Sequence, residues 1–142
     1  VSDKPGYQPP ADGYCRMGKR WVTGWLLDET DREQLLARFP PRFADVVAHH
    51  VTLTTGTHQG TPLPSETRGE VVGEIDDGAG VQALVVRIGG TTRRGDGRTY
   101  HITWSLDRAR GRRPVESNDV IARLGWRSLP DPLPIRLTPA RF

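Results

Sequence analysis

Two segments of this chain are written to the same pattern: "HVTLT" at 50–54 and "HITWS" at 101–105. Each is rich in β-branched and aromatic residues and alternates with period two, which is the pattern of a half-buried strand. In the first, Val51 and Leu53 share one face and His50, Thr52 and Thr54 the other. In the second, Ile102, Trp104 and Leu106 oppose His101, Thr103 and Ser105. Two such strands commit the fold to a sheet with an apolar side that must meet a core. Neither opposite face carries Lys, Arg, Asp or Glu, as a solvent face would. Each carries imidazoles and hydroxyls, groups able to hold an anion and to exchange protons with it.

The surrounding sequence supplies the other elements. A strand is expected at 20–28, "RWVTGWLLD". A helix follows, with Asp28 or Thr30 as cap, Glu33 three residues past Thr30, and an apolar stripe of Leu35, Leu36 and Phe39. Pro40 and Pro41 stop it. The next strand runs through "ADVVAHHVTLTTG", bent near Ala48, and "TPLPSETRG" is a loop. "EVVGEIDDG" and "VQALVVRIGG" form an antiparallel hairpin about the turn "DDGAG". The basic loop "TTRRGDGR" leads into the second His strand. A short helix is expected at "ESNDVI", capped by Ser117 or Asn118, and a short strand within "PLPIRLTPARF". Strands and helices mix without regular β-α-β alternation, so the expected class is α+β with a mainly antiparallel sheet. Residues 1–142 read as a single domain, with 1–19 as an extended Pro- and Gly-rich arm.

Of the 20 basic residues, Lys4 and Lys19 are lysine and the rest arginine, and the net charge is +3. Arginine's planar fork suits phosphate, although a GC-rich genome, which favours arginine codons, produces the same bias. Cys15 is the lone cysteine, which rules out a disulfide or a Cys-based zinc site within this sequence. No apolar run approaches a membrane span and no signal-peptide core is present, so a soluble cytoplasmic protein with no membrane contact is expected.

The paired motifs His50-Val51-Thr52-Leu53 and His101-Ile102-Thr103-Trp104 resemble the signature of the 2H phosphoesterase superfamily. This LigT-like group includes the RNA 2′,3′-cyclic phosphodiesterases. The resemblance covers roughly residues 20 to 138 and rests on about eight of them. It implies a bilobal α+β fold with mainly antiparallel sheets and pseudo-two-fold duplication, the two motif strands lying side by side in a central cleft. It implies His50, Thr52, His101 and Thr103 as catalytic residues, with no cofactor and no metal. Chemically, opening a cyclic phosphodiester with water needs a base for the water proton and an acid for the leaving oxygen. Attacking and leaving groups lie roughly in line, so two imidazoles must flank the phosphorus. The threonine hydroxyls would donate to the non-bridging oxygens.

Arg93, Arg94 and Arg98, with Tyr100, form a basic and aromatic run for a nucleic-acid backbone and a stacked base. Trp21, within "RMGKRW" with Arg16, Lys19 and Arg20, is a second such patch. His49, on the apolar face, is expected to be structural, and His58 to sit on a surface loop. The partners implied are RNA 3′ ends or small nucleotides, and the chain is expected to be a monomer. Two other readings stay open. One is hydrolysis of cyclic oligonucleotide second messengers. The other is a module that binds an RNA end without turnover.

Overall fold

The structure is a computed structural model and describes residues 21–142. The arm at 1–19 and the basic residues at 16–20 lie outside the described residues. The chain builds one antiparallel sheet of seven strands and two α-helices, an α+β architecture. In chain order the elements are β1 (Trp21–Leu27), α1 (Glu29–Arg38), β2 (Asp45–Val46), β3 (His50–Thr57), β4 (Arg68–Asp76) and β5 (Val81–Arg87). After these come β6 (His101–Leu106), a single 3₁₀ turn at Arg108–Arg110, α2 (Glu116–Leu124) and β7 (Arg127–Arg141).

The strand order is β2-β6-β5-β4-β7-β1-β3. β7 links two groups of strands: its Arg127–Arg136 stretch pairs with β4, beside β5, β6 and β2, and its Leu137–Arg141 stretch pairs with β1, beside β3. The two His strands are not paired with each other: β6 bonds to β5 and β2, and β3 bonds to β1. They meet because the sheet curls. β2 and β3 end the order, yet only residues 47–49 separate them. Four residue steps reach roughly 14 Å at full stretch, so the two ends of the sheet must come together. The linker holds both. The amides of Val47 and Ala48 donate to the carbonyls of Trp104 and Thr103 in β6, while the carbonyl of His49 accepts from Leu27 in β1. Ala48 makes the crossing in the left-handed region, at φ 47°. That is the bend expected near Ala48.

The core lies inside the curl. Trp25, Val51, Val71, Leu84, Val86, Ile102, Trp104 and Leu137 are all buried and form one cluster with Leu35 of α1 and Phe39 just past its end. The Trp104 indole donates to the Phe39 carbonyl at 2.7 Å, tying β6 to the end of α1. α2 covers the outer side of the β5–β6 region with Val120 and Ile121 against Val81, Ala83, Val85 and Leu106. Every residue of β6 is therefore buried.

α1 begins where expected. Asp28 caps it, its carboxylate accepting from the Asp31 amide, and it ends before Pro40-Pro41. The β4–β5 hairpin is as expected, its turn held by Asp76 and Asp77 side chains accepting from Gly78, Ala79 and Val81 amides. β7 is longer than the short strand expected. It tolerates several prolines by pairing in two stretches, with β4 from Arg127 and with β1 up to Arg141.

Candidate functional site

β3 and β6 come together on one side of a cavity of about 260 Å³. His50, Thr52, His101 and Thr103 all line it. The period-two pattern explains how: Val51 and Ile102 face the core, so the neighbours on each side face out. Arg94 and Arg98 from the β5–β6 loop line it too, with Pro114, Val115 and Asn118 from the start of α2. Thr55 completes the rim.

His101 is almost wholly buried, and its Nδ1 lies 2.8 Å from the Thr99 carbonyl. A carbonyl only accepts, so Nδ1 carries a proton, and Nε2 is bare whenever the ring is neutral. Burial pushes the His101 pKa below its usual value; the Thr99 carbonyl opposes this, while Arg94 and Arg98 add to it. His50 is half-buried, with the Phe142 ring tilted against it at 4.6 Å between ring centroids. Burial first, then the neighbouring His49 and His101, lower its pKa to about 4. These surroundings favour two neutral imidazoles, and a bound phosphate anion would draw protons back to them.

Arg94 is 3% exposed, an unusual burial for a guanidinium. Its Nε and Nη2 form a fork on Asp96 at 3.0 and 2.8 Å, and Nη1 reaches the Thr52 carbonyl at 3.4 Å. The guanidinium holds the Asp96 carboxyl down to about 2. Asp96 also accepts from the Arg98 amide, so one carboxylate shapes the whole cationic loop. The Thr103 hydroxyl lies 2.9 Å from Ser117 Oγ and 3.3 Å from the Pro114 carbonyl. The second contact is long for a hydroxyl donor, so a phosphate oxygen can compete for that proton.

The remaining expected site residues separate. Tyr100 does not offer a stacking face: it is buried, with its ring edge-on to Trp25 at 5.7 Å. It precedes His101 by one residue, so the alternation that aims His101 at the cavity aims Tyr100 at the core. Arg93 is exposed and does not line the cavity. Trp21 opens β1, where its carbonyl accepts from the Thr57 hydroxyl, and is also absent from the lining. Ser105 leaves the face it was expected to share with His101. A bulge in the β5–β6 ladder sets Thr103 and Ser105 against the consecutive residues Ala83 and Gln82, and Ser105 donates to Gln82 instead. The same device in β3 brings in Thr55: the ladder to β1 shifts between Thr54 and Thr52, and Thr55 rather than Thr54 reaches the cavity.

Ser117 does not cap α2. Val115 takes that position without a side-chain bond, and Ser117, fully buried, is bonded to Thr103. His49 is the other correction. It is exposed, and its ring folds back so that Nδ1 lies 3.0 Å from Nδ1 of His50. The left-handed turn at Ala48 breaks the alternation one residue before it. His58 sits on an exposed turn, as expected.

No family model, curated protein or solved structure matches this chain.

Proposed function

We propose that the chain is a phosphodiesterase of the 2H type that hydrolyses 2′,3′-cyclic phosphate RNA ends, or a closely related nucleotide phosphodiester, by two-histidine acid–base catalysis. One observation carries the reading. Two H-x-T motifs far apart in sequence contribute all four of their polar side chains to the same small cavity, which Arg94 and Arg98 also line. Binding alone does not call for two proton carriers at one anion site. In-line attack by water calls for one on each side of the phosphorus.

In this mechanism the arginines and threonine hydroxyls hold the non-bridging oxygens, where negative charge grows in the transition state. One imidazole takes a proton from water as the new P–O bond forms. The other gives a proton to the ribose oxygen as the ring P–O bond breaks. Thr103 turns its proton from Pro114 to the phosphate, while Ser117 donates to its oxygen and keeps it in place. The lining contains no carboxylate, so the charge stabilisation is assigned to guanidinium and imidazole. Arg98 is exposed at the mouth, which suits the next backbone phosphate of an RNA strand.

The test is hydrolysis of a 2′,3′-cyclic nucleotide and of an oligoribonucleotide ending in a 2′,3′-cyclic phosphate, with EDTA present. Turnover that survives the chelator and disappears in both His50→Ala and His101→Ala supports the proposal. Binding without turnover, or turnover indifferent to both substitutions, refutes it.

A further inference from the structure

The contact between His49 and His50 is unusual in its atoms. Two Nδ1 atoms face each other at 3.0 Å, and a hydrogen bond between them holds one proton. The rings are steeply tilted, at 79°, and Phe142 packs on both, at 4.6 Å from His50 and 6.3 Å from His49. The left-handed Ala48 and the bond from the Leu27 amide to the His49 carbonyl fix the backbone beneath. With Nδ1 of His50 taken up, Nε2 is the nitrogen left for the cavity.

Which ring owns the shared proton decides what His50 can do. If His49 donates, His50 keeps its proton on Nε2 and presents an N–H to the cavity. If His50 donates, it presents a bare Nε2. The cavity favours the second arrangement, because Arg94 and Arg98 line it and a lone pair faces cations better than an N–H does. The exposed His49 can carry its own proton on Nε2, where water solvates it. His101 differs: its Nδ1–H is bonded to a carbonyl, which strengthens as an acceptor when the ring is charged.

We propose that His49 is a positioning residue that holds His50 in the tautomer with a bare Nε2, which makes His50 the general base and leaves His101 as the acid. This rests on the phosphodiesterase reading for its reaction, but the tautomer is a property of the free protein. During turnover the water proton goes to Nε2 of His50, and the Nδ1 proton of the resulting imidazolium stays bonded to Nδ1 of His49. The groups that bear on the charge of His50 are His49 beside it, His101 from β6, and Arg94 and Arg98 from the β5–β6 loop.

The experiment compares wild-type protein with His49→Ala and His49→Asn. Asparagine can place its Oδ1 close to the position of the histidine Nδ1 and can only accept there. Nitrogen-15 NMR of histidine-labelled protein above pH 7, without substrate, should show His50 protonated on Nδ1 in wild type and His49→Asn. In His49→Ala it should revert toward Nε2. Cyclic-phosphate hydrolysis should lose a factor on the order of 10 to 100 in kcat in His49→Ala, the usual cost of removing a ring-orienting partner. His49→Asn should recover most of it. An unchanged His50 tautomer in His49→Ala, or full activity there, overturns the proposal. Wild-type protein that shows the expected tautomer yet hydrolyses no cyclic phosphate refutes the phosphodiesterase reading, and the assignment of His50 as base falls with it.

Discussion

His50 and His101 occupy the same cavity but not equivalent surroundings, and their pH behaviour should show it. A base must be neutral to accept a proton and an acid must be charged to give one. With His50 as base, activity appears as pH rises through its pKa of about 4. With His101 as acid, activity is lost as pH rises through a pKa that burial holds below the usual value near 6.5. The kcat/KM profile of the free protein is therefore expected to be a bell displaced to the acidic side of ordinary imidazole. The limbs belong to the coupled pair. A profile centred above pH 7 would contradict these surroundings. His50→Ala and His101→Ala are each expected to cost on the order of 10²–10⁴ in rate, with the double variant far from additive. At this scale the sequence was legible wherever alternation survives. His50, Thr52, His101 and Thr103 follow it into the cavity. Thr55, Ser105 and His49 do not, because two bulges and one left-handed alanine shift the pattern by a residue, and no residue type announces those.

Among the elements, β3 is the one on which the site depends, and Gly24 in β1 sets where it lies. A Cβ at Gly24 would fall inside the contact radius of the Val51 carbonyl oxygen, and close to the Thr52 and Leu53 backbone as well. Those are backbone atoms of a paired strand and have no rotamer to yield. Gly24→Ala is expected to destabilise the protein by about 1–3 kcal/mol, the cost of overpacking. It should also depress kcat/KM, because the strand carrying His50 and Thr52 must move. Thermal unfolding and the cyclic-phosphate assay check both; a variant with wild-type Tm and activity would show that β3 is held by other means. The individual elements were readable because caps, prolines and turn residues mark them locally: Asp28, Pro40-Pro41, and the Asp76–Gly80 turn. The full length of β7 was hidden by its prolines, which normally argue against a strand. It survives because its two pairing stretches take different partners.

Over the whole molecule, the buried imidazoles tie folding to pH. An unfolded chain protonates His50 near 6.5, while the folded one resists until about 4, so the unfolded state binds more protons across that window. Stability is expected to be level above about pH 7 and to fall as pH drops from 6.5 toward 4, with His101 acting in the same direction. Tm measured across that range checks it; a flat line would mean that both rings charge freely in the folded state. The strand order was the least legible feature of all, because the double pairing of β7 with β4 and with β1 depends on hydrogen bonds between residues far apart in sequence.

That sheet nearly closes on itself. Residues 47–49 bridge its two ends, but beyond them no ladder joins β3 to β6 among the described residues, and the cavity occupies that gap. The candidate site is in this sense an unzipped seam. An anion gripped from both sides would act as a clasp across it, linking strands that the backbone leaves unlinked. Occupancy should then slow hydrogen exchange at amides along β3 and β6 together, at a distance from any atom the ligand touches.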